Sequence, residues 1–233
     1  MQPLRRPKLT IVMPAYNEAP VIGRVLASLP STVEGFDEVE VIVVDDGSTD
    51  GTGDIARSAG AIVLRHSINR GLGGALGTGL KAALLRGADV IVTFDADGQH
   101  RPEDIERLAR PILCGVADAV IGSRMHKNRG MPAVRVAINW LANLLTYLLF
   151  GVWTSDSQSG LRAFSRPAAE QIRIRTNRME VSSEFLTEIR QHNLRLVEVD
   201  IPPIYTDYSR RKGQDSLNAL NIFLKLILRR LVK

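Results

Sequence analysis

A chain of 233 residues can form one domain with a substantial core and is too short for two comfortable ones. Apolar residues at 45% and charged residues at 24% stand near globular averages, which speaks against a disordered chain and a polytopic membrane protein alike. The net charge of +5 is placed late: Arg210, Arg211, Lys212, Lys225, Arg229, Arg230 and Lys233 follow Ser209, with only Asp215 against them. Such an end suits an anionic membrane surface, a phosphorylated substrate or nucleic acid. Nucleic acid is the weakest of the three, because stacking aromatics are sparse there: Tyr205, Tyr208 and Phe223. Cys114 is the single cysteine, so no internal disulfide exists, and this suits a reducing compartment. No signal peptide precedes the first strand-like run, since residues 1–8 are polar and basic.

Leu9 to Met13 is a short β-branched run closed by Pro14, and Pro20 to Leu29 then carries Val21, Val25 and Leu29 at helical spacing. Val39 to Val44 reads as a buried parallel strand that runs into Asp45-Asp46-Gly47-Ser48-Thr49-Asp50. A helix over Asp54 to Gly60, a strand over Ala61 to His66 and a small-residue helix over Gly73 to Arg86 follow. Asp89 to Phe94 is another buried strand, ending in Asp95-Ala96-Asp97. Pro102 to Cys114 is a helix with acidic residues in its first turn, and Ala117 to Ile121 a further strand. This β-α alternation predicts an α/β fold with a mostly parallel sheet flanked by helices. Ligands of such sheets bind outside the carboxyl ends of the strands, where both acidic clusters fall.

From Val136 to Ser155 the chain has no charged residue. Arg135, Asn139, Asn143 and Thr146 nevertheless lie on one helical stripe, and Gly151 stops the helix early. The segment is therefore read as a helix lying in a membrane interface or packed in the core, rather than as a span. After Ser209 a basic loop leads to a helix capped by Asp215 or Ser216. Its stripe of Asn218, Asn221, Lys225, Arg229 and Lys233 opposes Leu220, Phe223, Leu224, Ile227 and Leu231. Such a helix can lie on an anionic bilayer or pack on its own domain.

Asp95-Ala96-Asp97 at a strand end has a physical use. Mg²⁺ and Mn²⁺ favour hard oxygen ligands and take one or two carboxylates together with substrate phosphates. A cation so held offsets the charge that gathers on a departing nucleoside diphosphate. If the segment is extended, residues two apart share a side, and Asp95, Asp97 and Gln99 converge. Alone, the pair serves equally well to cap the helix near Pro102, a role also expected of His100.

Three motifs at three strand ends narrow the choice: Pro14-Ala15-Tyr16-Asn17-Glu18, Asp45 to Asp50, and Asp95-Ala96-Asp97-Gly98-Gln99-His100. In this order they resemble the inverting nucleotide-sugar glycosyltransferases of family 2, which have the GT-A fold, over about Leu9 to Arg124. The resemblance implies a nucleotide-sugar pocket formed by Pro14, Tyr16, Glu18, Asp45 or Asp46, Asp95, Ala96 and Asp97. It implies a Mg²⁺ or Mn²⁺ site at Asp95, Asp97 and Gln99, with Asp97 and Arg124 named as catalytic. Asn69-Arg70-Gly71 matches an N-x-G element that borders the donor and contributes Gly71.

The acceptor is approached through Asp156-Ser157-Gln158-Ser159-Gly160-Leu161-Arg162-Ala163-Phe164. This stretch looks like the D-x-x-S-G-x-R-A-[FY] element of the dolichyl- and polyprenyl-phosphate sugar synthases. A phosphate monoester with its second pKa near 6 is ionised at neutral pH and can attack a sugar C1 without a protein base. Cations are what it needs, and Arg124, Arg129, Arg210, Arg211, Lys212 and Ser216 are the candidates. The reading is inverting transfer of a hexose from GDP-mannose, UDP-glucose or UDP-GlcNAc to dolichyl or polyprenyl phosphate. The expected organisation is a catalytic domain over 1–208, with an interface helix at 136–153, and a basic loop and amphipathic helix over 209–233. The expected position is peripheral, on the cytoplasmic face of a membrane, with any membrane-protein partner unassigned. A rival within the same family has Asp156 as general base for a saccharide acceptor. Glu180 and Glu184 are read as structural or loop-anchoring.

Overall fold

The computed structural model describes residues 7–125, 133–177 and 180–204. Seven strands, β1 (Lys8–Ala15), β2 (Glu38–Asp45), β3 (Ile62–Arg65), β4 (Val90–Thr93), β5 (Ala119–Ser123), β6 (Arg162–Ser165) and β7 (Leu196–Asp200), form one sheet in the order β3-β2-β1-β4-β6-β5-β7. Every pairing is parallel except those of β6, which runs antiparallel between β4 and β5. The helices are α1 (Ala19–Ser28), α2 (Thr52–Ser58), α3 (Leu72–Leu85), α4 (Glu103–Leu113), α5 (Ala133–Phe150), α6 (Arg166–Gln171) and α7 (Val181–Gln191). From β1 to β5 the elements lie where the sequence predicts them, with ends shifted by at most two residues.

Successive residues of a strand face opposite sides, and the core divides accordingly. Ile11, Met13, Val43 and Val92 meet Ile22 and Val25 of α1 and Ile105, Leu108 and Ile112 of α4. Val12, Ile42, Val44 and Ile91 meet Leu76 and Leu80 of α3 and Phe185 and Leu186 of α7. The central strands are buried on both faces, which is why they read as unbroken apolar runs. The glycines of α3 let its backbone approach the sheet: a Cβ on Gly79 would stand 2.2 Å from Cγ1 of Val12.

Pro14 does not close β1; the strand runs on to Ala15. A proline is tolerated there because pairing with β4 has already ended at Val12, so no ladder bond is lost on that side. Four elements have no counterpart in the sequence reading: β6, α6, α7 and β7. The four residues of β6 begin with an arginine and show no alternation, so they offered a motif rather than a strand.

The uncharged segment forms α5, which ends at Phe150 before Gly151 at φ +66°, a left-handed conformation that suits glycine. Among the described residues no helix is long and apolar enough to cross a membrane. The expected phosphate contacts Arg129, Arg210, Arg211, Lys212 and Ser216, and the C-terminal amphipathic helix, lie outside the described residues.

Candidate active site

The loops leaving β1, β2 and β4 meet at one edge of the sheet, and backbone hydrogen bonds lock the first two together. Asn17 N–H donates to Ser48 Oγ (3.0 Å), Glu18 N–H to Thr52 Oγ1 (2.8 Å), and Thr49 N–H to Asn17 Oδ1 (3.0 Å). Asn17 adopts φ +53° to make this exchange, a conformation asparagine tolerates. Asp50 accepts from Ala19 N–H at the start of α1 and from Thr52 N–H and Oγ1–H. Burial alone would raise its pKa, but these donors reverse the effect and hold it below the usual carboxylate value. Asp50 is thus a brace between loops. Tyr16 stands at the mouth, 44% exposed, while Glu18 is buried behind it.

The two neighbouring aspartates have different surroundings. Asp46 is saturated: Oδ1 accepts from Arg70 N–H (2.9 Å), Oδ2 from Gly71 N–H (2.7 Å), and His66 Nδ1 lies 2.6 Å from Oδ1. His66 Nε2 lies 2.9 Å from Thr78 Oγ1 on α3, so the Asn69-Arg70-Gly71 turn, β3 and α3 are fixed through one carboxylate. Asp45 is also buried, yet its Oδ2 has no hydrogen-bond partner, and Oδ1 takes only Ser48 N–H at 2.9 Å. Its partner at Oδ2 is an ion pair, with Arg65 Nε 3.5 Å away. His66 was not singled out in the sequence, although a histidine directly after a strand and three residues before an N-x-G turn is a readable signal.

The Asp95–His100 segment is a turn, not the extended strand end from which the sequence argument brought Asp95, Asp97 and Gln99 together. Gly98 at φ +75° reverses the chain, and Gln99 donates to Asp97 from its backbone N–H (2.9 Å) and from Nε2 (2.8 Å). Gln99 therefore braces Asp97. His100 does not cap α4, whose N-cap Pro102 has no side-chain bond; its Nε2 lies 3.0 Å from Asp95 Oδ2 and its ring packs edge-on to Phe94. About a third of the Asp95 side chain (35%) reaches solvent. Burial pushes its pKa up, but His100, with the fields of Arg124 and Arg162, outweighs that and holds it low. Asp97 goes the other way: burial, then the Asp95 carboxylate, and more weakly Glu18, raise it above the usual value. Two carboxylates crowded so that one resists ionisation make a site with unmet demand for positive charge.

Opposite this turn, Arg124 follows β5 and holds Asp156. Its Nε donates to Oδ2 at 2.7 Å, its Nη2 to Oδ1 at 2.9 Å and its backbone N–H to Oδ2 at 3.1 Å. Asp156 is 1% exposed, whereas the Arg124 side chain is 24% exposed. Asn143 of α5 grips both neighbours of Asp156, donating to Ser155 O and accepting from Ser157 N–H at 3.0 Å. Glu198 of β7 accepts from Ser155 N–H (2.7 Å) and from Ser155 Oγ–H. Gly160 presses on the acidic turn: a Cβ there would come within 2.1 Å of Asp95 Oδ2. Thr93 Oγ1 donates to Gly160 O at 2.7 Å. Arg162, the first residue of β6, is buried 4.9 Å over the Phe185 ring, with one bond to Ser157 O (3.1 Å). Burial lowers its pKa to about 10, with Asp95 and Asp156 opposing the fall, so it remains a cation at neutral pH. Glu198 carried no signal in the sequence and Asn143 only its place on the polar stripe of α5; the packing of β7 and α5 brings both here.

Glu184 anchors a strap, accepting from Arg175 N–H and Thr176 N–H, both at 2.9 Å, as the loop-anchoring reading expected. The strap then plugs the start of α3, where Gly73 N–H and Gly74 N–H donate to Asn177 O.

Among the described residues no group of three or more His, Cys, Asp or Glu side chains is gathered for a metal ion. Asp95 and Asp97 fit a divalent cation of the kind that takes one or two carboxylates and completes its shell with substrate phosphate.

A sequence profile described as glycosyl transferase family 2 matches residues 10–173. The chain is 37% identical to the UDP-N-acetylglucosamine–dolichyl-phosphate N-acetylglucosaminyltransferase of Methanococcus voltae, over 96% of each chain. It is 35% identical to the polyprenol monophosphomannose synthase of Mycolicibacterium smegmatis, over 70% of this chain and 63% of that one. Among solved structures, glucosyl-3-phosphoglycerate synthase from Mycobacterium tuberculosis, in complex with Mn²⁺, UDP and glucosyl-3-phosphoglycerate, superposes with a TM-score of 0.73. That match has 24% identity and covers 95% of this chain and 77% of that one, a likeness of fold.

Proposed function

The chain belongs to glycosyl transferase family 2 and has its GT-A-like fold, and on that footing we propose that it glycosylates a dolichyl or polyprenyl phosphate from a nucleotide sugar, with inversion at C1. The near full-length likeness to the Methanococcus voltae enzyme puts UDP-N-acetylglucosamine first among the donors, ahead of GDP-mannose and UDP-glucose. One observation carries the choice of acceptor: the carboxylate nearest Arg124, Asp156, is buried and fully engaged by that arginine. A sugar hydroxyl needs a base with an accessible lone pair. A phosphate monoester brings its own negative charge and needs a positioned cation, for which Arg124, oriented by Asp156 and 24% exposed, is the candidate.

In this reading Tyr16, Glu18 and Asp45 line the nucleoside side, while Asp46 keeps the Gly71 turn in place. Asp95 and Asp97 would hold Mg²⁺ or Mn²⁺ against the diphosphate, and the ion would offset the charge that gathers there. An oxygen of the lipid phosphate attacks C1. The bond from C1 to the β-phosphate oxygen breaks, and its electron pair leaves with the nucleoside diphosphate. No proton has to be removed, because the monoester is already ionised. Asp156 fixes the guanidinium of Arg124 and is not the base. Arg129, Arg210, Arg211, Lys212 and Ser216 remain proposed companions of Arg124 at the acceptor phosphate. The reading includes a peripheral position on the cytoplasmic face of a membrane.

The test is transfer from radiolabelled UDP-N-acetylglucosamine, GDP-mannose and UDP-glucose to polyprenyl phosphate in detergent with Mn²⁺ or Mg²⁺. Label should enter the organic phase from one donor and be lost with EDTA and in Asp97→Ala. Donor turnover with no labelled lipid, together with transfer to a soluble saccharide, would replace this acceptor with the saccharide one.

A further inference from the structure

The turn from Ser67 to Arg70 is exposed at all four residues, so its attachment to the sheet falls to its backbone. That attachment is made at the end of β2. Arg70 N–H and Gly71 N–H donate to the two separate oxygens of Asp46, at 2.9 and 2.7 Å. The backbone at Ile68 and Asn69 also lies against Gly47, where a Cβ would come within 2.9 Å of Asn69 N. Two consecutive N–H groups can each meet a different oxygen only while the carboxylate plane keeps one orientation. His66 supplies the third contact that sets this plane. Its Nδ1 lies 2.6 Å from Asp46 Oδ1, with the imidazole 10% and the carboxylate 5% exposed.

The ring is itself anchored. His66 N–H donates to Asp45 O (2.9 Å), and Nε2 lies 2.9 Å from Thr78 Oγ1 on α3. When the imidazole is charged, Nδ1–H donates to Asp46 and Nε2–H to Thr78, whose own proton goes to Gly74 O at 3.0 Å. When it is neutral with the proton on Nδ1, the bond to Asp46 stands and Thr78 turns its hydroxyl to Nε2. Protonation therefore alters the α3 side and spares the Asp46 side.

We propose that His66 is a positioning residue for the nucleotide-sugar donor. Through Asp46 it holds the Asn69-Arg70-Gly71 turn in the conformation that receives the nucleoside diphosphate. The inference rests on the reading that this turn borders the donor, and it gives the two ring nitrogens different duties. Nδ1 serves the ligand through Asp46, and Nε2 serves the attachment of α3 through Thr78. A histidine kept only to fill space or to pin α3 would show no such division.

Asparagine places its amide nitrogen near the position of Nδ1 and glutamine near that of Nε2, so the two replacements separate the duties. Binding of UDP, and of GDP in parallel, is followed by calorimetry on the full chain with Mn²⁺ and no acceptor lipid. His66→Gln should weaken the preferred nucleotide about tenfold, the scale of losing one hydrogen bond to a charged group. Donor KM should rise in parallel while kcat and acceptor KM hold. His66→Asn should bind within about twofold of the parent, because it keeps that bond, even where its Tm falls as far as that of His66→Gln. Thr78→Val, which removes only the Nε2 partner, should also bind as the parent does. Equal weakening in both His66 variants, or weakening that follows Tm through Thr78→Val, would make the residue a structural pin and overturn the proposal. So would parental affinity in His66→Gln. If His66→Gln does not fold, the other two variants decide, since a loss of about tenfold in either overturns the proposal. A parent that binds neither nucleotide removes the donor reading, and this inference falls with it. Failure of the acceptor reading looks different: nucleotide binds with the expected pattern across the variants while no donor labels a lipid.

Discussion

On the donor side of the cleft, loops are joined by backbone N–H groups that donate to short side chains: Asn17 to Ser48, Glu18 to Thr52, and Arg70 and Gly71 to Asp46. On the acceptor side, the joints are charged or polar side chains from separate elements: Arg124 on Asp156, Asn143 around Ser155, and Glu198 on Ser155. The two sides also differ in charge balance. Asp95, Asp97 and Glu18 crowd together with His100 and buried Arg162 as counterweights, whereas Asp156 is matched by Arg124. The proposed donor side is cross-braced through its backbone and carries surplus negative charge, suited to a cation and a diphosphate. The proposed acceptor side is a charge-matched pair, with the Asp156 carboxylate buried and the Arg124 side chain 24% exposed.

That contrast can be broken most sharply at Asp97. Asp97→Asn should cut transfer by about 10²–10³-fold, the range for losing one group that stabilises developing charge. In EDTA the same variant should melt higher than the parent. The sign follows from linkage: a carboxyl whose pKa is raised in the fold is destabilising while ionised, at pH above that pKa, and the penalty fades as pH falls through it. A lower Tm for Asp97→Asn would mean that the crowding of the two carboxylates is not a strain on the fold.

The seam between the two sides is Gly160. Gly160→Ala would drive a methyl into Asp95 Oδ2, and a displacement of about 1 Å costs on the order of 10²-fold in rate. Its effect should appear as a raised metal requirement, measured as the Mn²⁺ concentration for half-maximal transfer. An unchanged metal requirement would separate the two sides again.

Asp156→Asn should act more gently on chemistry. With Asp156 as a positioner of Arg124, the acceptor KM rises about tenfold and kcat changes little. A general base would instead take about 10²–10⁴ out of kcat. Full kinetics against acceptor concentration decide between them.

The smallest effect should come from a charge pair remote from the cleft. Arg195 holds the pKa of Asp118 at about 2 through paired hydrogen bonds, but the Arg195 side chain is 57% exposed, so water screens the pair. Asp118→Asn should leave transfer unchanged and lower Tm only slightly at pH 7. That small difference should vanish as pH falls from about 4 toward 2, where the depressed carboxyl protonates in the parent as well.

The alternating strands and helices up to Ser123 were legible because doubly buried strands must be apolar throughout, and because glycine, proline and acidic residues mark where they stop. The donor motifs were legible because each is contiguous with its strand and so sits at the carboxyl edge by construction. Sequence by itself therefore determined the strands β1 to β5, the edge where their loops leave and the candidate residues offered there. Tertiary structure alone decided which of those residues are already spent: Asp46 on the Gly71 turn, Gln99 on Asp97, His100 on Asp95 and Asp156 on Arg124. It also decided that β6 enters the sheet antiparallel and that Trp140, Leu141, Tyr147 and Leu148 of α5 are exposed while Asn143 and Thr146 are buried. The physical reason is that saturation of a carboxylate and the facing of a helix depend on what packs against them in space. Nothing in a local run of residues encodes that neighbour.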